Sequence, residues 1–223
     1  MISVNLNAIR EQIDTELQKA GRKPGDTRLL AVSKTFPPAI IQEAYDAGQR
    51  LFGENKVQEL KEKKPLLPDD IEWHLIGHLQ QNKVKNAIEN AAWIHSIDSE
   101  KLLTRINRIA DELGAAPKVL LEINISGETS KFGLVPDQAE QVIESGLQGP
   151  AICKGLMTMA PADATTSELH AIFAGLRKLR DKLEQNLGRK FPELSMGMTA
   201  DFPIAIAEGA TIVRIGSAIF GHR

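Results

Sequence analysis

Cysteine is almost missing from this chain: Cys153 stands alone among 223 residues. No disulfide can form within the chain, and no thiolate-based zinc site can be assembled. A reducing compartment, the cytoplasm, is the expected location. An excess of either charge is also missing. Twenty-seven basic residues stand against 29 acidic ones, a net charge of −2, so no general basic field exists to hold nucleic-acid phosphates. No apolar stretch approaches bilayer length, and no membrane partner is expected. The opening MISVNLNAIREQIDTELQKA carries Glu11, Asp14 and Glu16 and no apolar core, so it is not expected to act as a signal peptide. No GxGxxG follows the first apolar run, which removes the usual dinucleotide fingerprint. Aromatic residues make up only 4%, with one tyrosine, Tyr45.

What is present is a repeating pattern. Hydrophobic residues reach 42% and charged residues 25%, ordinary for a globular chain. An opening helix over about Asn5–Ala20 is predicted from Leu6, Ile9, Ile13 and Leu17, spaced by threes and fours. Short apolar runs then alternate with amphipathic stretches. Strands are expected near Arg28–Lys34, Arg50–Glu54, Trp73–Gly77, Trp93–Asp98, Val119–Ser126, Ile152–Met159, Glu193–Gly197 and Thr211–Gly216. Helices are expected over Pro37–Ala47, Lys56–Lys63, Gln81–Asn90, Glu100–Leu113, Pro136–Ser145, Thr166–Leu187 and Asp201–Glu208. Runs such as LLAV and KVLLEINI are apolar throughout, as parallel strands covered on both faces are. Helical spacers imply right-handed crossovers. Eight such units predict an α/β fold, a (β/α)8 TIM barrel with an extra N-terminal helix; a doubly wound sheet is the competing arrangement. One domain is expected, with residues 1–25 as the added helix and 26–223 as the barrel.

Barrel chemistry sits at the C-terminal ends of strands. Those ends carry Lys34, Asn55, His78, Asp98, Ser126, Thr158, Ser195, Gly197, Arg214 and Gly216. Lys34 closes an apolar run. A desolvated lysine suits imine formation with an aldehyde; a lysine that snorkels to solvent explains the same position. The turns LSMGMT and RIGSAIFG follow the last two strands, where barrels often hold phosphate on backbone N–H groups. They also suit plain tight turns. Arg214 needs a partner inside its apolar strand: a carboxylate such as Glu54 or Glu122, or a ligand at the mouth. His74 and His78 lie roughly 13 Å apart along a strand, too far for one metal ion.

The segments LLAVSKT, GQRLFGENKVQE, WHLIGHLQQNK, EINISGETSKFG, GLMTMA and LSMGMTADFPIAIAEGATIVRIGSAIFG resemble, in order, the motifs of the pyridoxal 5′-phosphate (PLP) homeostasis proteins. The resemblance runs from about Arg28 to Gly221. It implies a single barrel similar to the N-terminal domain of alanine racemase, the fold type III of PLP enzymes. It also implies that Lys34 bonds the cofactor aldehyde, that Ser195, Gly197, Gly216 and Ser217 surround its phosphate, and that Arg214 faces its pyridine nitrogen. Asn55 is expected to line the ring pocket, with His74 and Met196 packed near it. The chain departs from the family pattern at Lys56 and Thr199, and His78 occupies a variable position.

The resemblance carries a mechanistic test. A guanidinium beside the ring nitrogen cannot accept a proton, so the ring is a weak electron sink and chemistry narrows toward proton transfer at one carbon. Racemisation needs an acid or base on each face. In alanine racemase a tyrosine from a second domain supplies one; here no second domain is expected, and Tyr45 falls in the helix after the first strand. A non-enzymatic PLP carrier is therefore expected, with transient contacts to PLP-dependent client enzymes and a monomeric state. Two other functions compete: an amino-acid racemase with His78 or Lys131 as substitute base, and a cofactor-free aldolase. Lys131, in the ETSK stretch, suits an anion contact or a solvated charge at the rim.

Overall fold

The computed structural model describes residues 1–128, 132–146 and 148–221. Eight parallel strands close into a barrel in sequential order. They are β1 (Arg28–Val32), β2 (Leu51–Glu54), β3 (Glu72–Leu75), β4 (Trp93–Ile97), β5 (Lys118–Glu122), β6 (Ile152–Met157), β7 (Glu193–Ser195) and β8 (Ile212–Ile215). Closure is made by β1 against β8, with Leu30 opposite Arg214.

Helices cover the outside: α1 (Ile2–Lys19), α2 (Pro38–Asp46), α3 (Val57–Lys63), α4 (Val84–Asn90), α5 (Glu100–Leu113), α6 (Ala139–Gly146), α7 (Thr166–Leu187), α8 (Phe202–Ala207) and α9 (Ser217–Phe220). Two of them match expectation to the residue, and both carry local start signals. Ser99 Oγ accepts from Leu102 N at α5. At α7 the Thr165 hydroxyl and the Glu168 side chain cap each other's backbone. Elsewhere the bounds move. The stretches at Gln81 and Pro136 open as 3₁₀ turns before α4 and α6 begin. β1 ends at Val32 rather than Lys34, because Ser33 enters a tight turn. β5 ends at Glu122 rather than Ser126: the Asn124 side chain accepts from Gly127 N and bends the chain there.

The first helix is not an appendage. α9 has only four residues, too few to cover the β8–β1 seam, and α1 packs against α8, α9 and α2 instead. Its stripe of Ile2, Leu6, Ile9, Ile13 and Leu17 is buried in the same core as the barrel. Asn5 Nδ2 donates to Ile219 O across that contact at 2.9 Å.

Alternation along each strand divides the interior into two regions. Leu29, Ala31, Phe52, Leu75, Ile94, Val119, Leu121, Leu156, Leu194 and Val213 face outward and merge with the helix stripes into one continuous apolar layer. Trp93, Leu120 and Met157 form a small separate cluster inside the barrel. The buried side chains of His74, His95, Glu122, Ser195 and Arg214 share that lumen.

Candidate functional site

A cavity of about 660 Å³ opens at the C-terminal ends of the strands. Lys34, Asn55, Arg214, Gly216 and Ser217 line it, together with His78, Glu122 and the Met198–Ala200 turn.

Lys34 follows β1 in a turn held from behind. Ser33 Oγ donates to Glu54 Oε1 at 2.7 Å. The Lys63 ammonium donates to Glu54 Oε1 (2.9 Å), Glu59 Oε2 (3.0 Å) and Ser33 O (3.1 Å), which uses all three of its protons. Thr35 N donates to Glu59 Oε2 at 2.7 Å. Thr35 has φ 69°, a conformation costing a β-branched residue about 1–3 kcal/mol. The residues on both sides of Lys34 are thus tied to one carboxylate–ammonium cluster that overcomes that strain. Burial pushes the Glu54 carboxyl up, with Lys63 and Ser33 pulling it back. This cluster was missed in the sequence, although Glu59 and Lys63 stand four apart on a helical pattern.

Arg214 is buried beneath the cavity floor. It donates from Nη1 to Ser195 O (2.7 Å) and Oγ (2.8 Å), and from Nη2 to Thr158 O (3.0 Å). Three of its five N–H groups are used there. Burial lowers its pKa to about 10, so it remains a cation at neutral pH. The carboxylate alternatives resolve: Glu54 pairs with Lys63, and among the described residues no carboxylate lies within ion-pair distance of Arg214. Glu122 faces the cavity nearby, its pKa raised to about 7 by burial first and by Asp98 second.

The two late turns are joined. Ser217 Oγ donates to Thr199 Oγ1 at 3.2 Å. Gly197 has φ 92°, and a Cβ there would stand 2.6 Å from the Ala205 methyl and 3.0 Å from Phe202 Cα. Only glycine lets that turn pack so closely on α8. Its carbonyl accepts from Arg214 N at 2.9 Å, which locks the turn to β8. On the opposite wall His78 Nδ1 lies 2.9 Å from Asp98 Oδ2, and the ring stacks on Phe132 at 4.1 Å.

Not every expected residue reaches the cavity. Ser195 does not line it; strand parity turns its hydroxyl into the lumen, between Arg214 and His95. His74 is fully buried one layer below, between Glu72 and His95. Met196 packs in the outer apolar layer. Gly197 lies just behind the lining residue Met198. Lys131 lies outside the described residues. Tyr45 bonds Asp70 at 2.6 Å on the outer surface of α2, as its place in the first helical spacer implied.

A family model described as alanine racemase, N-terminal domain, matches residues 4–223. Proteins named pyridoxal phosphate homeostasis protein are similar over the whole chain. That of Aquifex aeolicus is 41% identical over 98% of this chain and 96% of its own. That of Pseudomonas aeruginosa is 42% identical over 100% and 96%. The solved structure of PipY from Synechococcus elongatus with PLP bound is 41% identical, covers 99% of this chain and 100% of that one, and superposes with a TM-score of 0.88. Alanine racemase of Clostridium difficile, 20% identical with a TM-score of 0.78 over 56% of its length, shares the fold. The chain belongs to the pyridoxal phosphate homeostasis protein family.

Proposed function

We propose that this protein binds pyridoxal 5′-phosphate at the barrel mouth and serves its homeostasis by holding and releasing it. The observation that carries the proposal is the convergence of Lys34, Arg214 and two joined glycine turns on one cavity. The donor set fits the group: a primary amine for an aldehyde, a guanidinium for a ring nitrogen, and glycine-opened backbone for a phosphate. Bound there, the cofactor supplies an electrophilic aldehyde attached to an electron-withdrawing ring. Lys34 is the amine that would take up the aldehyde, with Ser33 and Thr35 fixing its direction. Gly216, Ser217 and the turn after Gly197 hold the phosphate, and Asn55 borders the ring. Arg214 leaves two N–H groups for the cavity. Because it donates and never accepts a proton at neutral pH, it would leave a ring nitrogen beside it unprotonated.

A carrier without turnover of its own is the reading favoured by the placement of Tyr45, whose hydroxyl is committed to Asp70 away from the cavity. We extend the proposal to a monomer working in the cytoplasm and passing the cofactor to PLP-dependent enzymes by transient contact.

The test uses the purified protein. Adding PLP and removing the unbound excess should leave a visible absorbance band on the protein. Borohydride should then fix a pyridoxyl mass on the peptide containing Lys34, and Lys34→Ala should lose both. A wild type that keeps no chromophore once unbound PLP has been removed overturns the reading. Amino-acid racemisation is a second reading, favoured by one observation: the His78 ring, oriented by Asp98, faces the same cavity as Lys34. Incubation with single enantiomers and chiral chromatography separates the two. Turnover well above that of free PLP, lost in His78→Phe, would establish the enzyme.

A further inference from the structure

A line of hydrogen bonds crosses the barrel lumen from its floor to Arg214. Glu72 is the first residue of β3, at the N-terminal end of the barrel. Its Oε1 lies 3.0 Å from His74 Nε2. His74 Nδ1 is 2.8 Å from His95 Nε2, and His95 Nδ1 is 3.0 Å from Ser195 Oγ. Ser195 Oγ receives Arg214 Nη1 at 2.8 Å. Strands β3, β4, β7 and β8 each contribute to it.

The two ends dictate how the protons are arranged. A guanidinium only donates and a carboxylate only accepts. Ser195 Oγ therefore accepts from Arg214 and gives its one proton to His95 Nδ1. His95 then carries its proton on Nε2 and donates to His74 Nδ1. His74 in turn carries its proton on Nε2 and donates to Glu72. Both rings are neutral and share one tautomer. Burial holds both histidines below their ordinary value, His95 furthest, where His74 and then Arg214 repel a second cation. Every N–H and O–H in the line points away from Arg214, so each lone pair facing it is the negative end of a dipole.

We propose that Glu72, His74, His95 and Ser195 are positioning residues that hold the Arg214 guanidinium in one orientation through a single, fixed arrangement of protons. Glu122 and Asp201 are the carboxylates that act on Arg214 through space, while the line fixes where its N–H groups point, so that those not used by Ser195 and Thr158 remain for a ligand. This rests on the PLP reading only for what Arg214 meets; the proton arrangement stands without it.

Two sets of measurements test the proposal. In the protein without added PLP, nitrogen-15 spectra at pH 7 should show His74 and His95 neutral with the proton on Nε2. The Arg214 guanidinium signals should be split by restricted rotation and should merge in Ser195→Ala. A proton on His95 Nδ1, or freely rotating Arg214 in the wild type, overturns the inference whatever happens with PLP. In PLP titrations Ser195→Ala should weaken binding roughly ten-fold and shift the absorbance band, while Ser195→Thr, which keeps the hydroxyl, should restore both. Glu72→Gln keeps the acceptor and removes the charge at a half-exposed position; it should weaken binding roughly three-fold with both tautomers unchanged. Wild-type affinity and spectrum in both Ser195→Ala and Glu72→Gln would show a merely structural network and sink the proposal. A wild type that binds no PLP would remove the reading of the cavity and leave the spectra of His95 and Arg214 to decide the rest.

Discussion

The layer between strands and helices and the lumen inside the strands are built from the same eight segments, on opposite faces. The outer layer joins residues as distant as Leu6 and Ile219 in one apolar body. The lumen mixes apolar side chains, Leu30, Ile212 and the cluster of Trp93, Leu120 and Met157, with buried ionisable and hydroxyl groups. The outer layer tolerates shape change within limits set by packing. The lumen is constrained by partners, since each buried polar group there costs energy when its partner is removed. Stability should therefore answer mainly to the outer layer, and ligand and pH behaviour to the lumen.

The largest effect expected in the outer layer is Phe173→Ala. Phe173 is fully buried on the inner face of α7, and the cavity left should cost about 3–5 kcal/mol. Thermal denaturation should fall by roughly 10 °C. PLP affinity of the folded fraction should be unchanged; a parallel loss of affinity would break the division of labour.

Lys63→Met tests the cluster behind Lys34. It strands the Glu54 carboxylate and should cost about 3 kcal/mol in denaturant unfolding. Adding Glu54→Gln should recover most of that, because a pair removed together leaves no unpaired charge.

Glu122 and His95 give the lumen a pH dependence of its own. The folded Glu122 carboxyl titrates at about 7 against an ordinary 4.5. Its contribution is full below pH 4.5 and is lost as pH rises through 7. Glu122→Gln should therefore stabilise the protein relative to wild type by about 2 kcal/mol more at pH 8 than at pH 4.5. His95 acts in the opposite sense. Its folded form resists protonation, so wild-type stability should fall as pH drops below 6.5. Unfolding curves that are flat from pH 5 to 8 in both proteins would contradict a titrating lumen. The smallest effect is the control: Lys85→Ala breaks an exposed pair with Glu89 at 3.9 Å and should move stability by less than about 0.5 kcal/mol.

The same contrast explains what could be read before the structure. Barrel strands covered on both sides stand out as apolar runs, and α5 and α7 announce their own starts at Ser99 and Thr165. The mouth was legible because Lys34, Asn55 and Gly216 follow those runs directly and Arg214 interrupts the last of them. The lumen was not. His95 meets His74 from 21 residues away and Ser195 from 100, and no local spacing reports such a meeting. Ser195 and Met196 exchange faces by one step of strand parity, which a three-residue strand is too short to announce. Lys63 reaches Ser33 from the helix after the next strand, a contact fixed only once the barrel closes.

α1 takes the place in the helical ring that the four-residue α9 leaves uncovered. α1 is made long before α8 and α9, its neighbours on one side, and so cannot be seated until they follow. Until they arrive, the nascent chain carries Ile9, Ile13 and Leu17 without their final cover, a stretch open to holdase chaperones during translation.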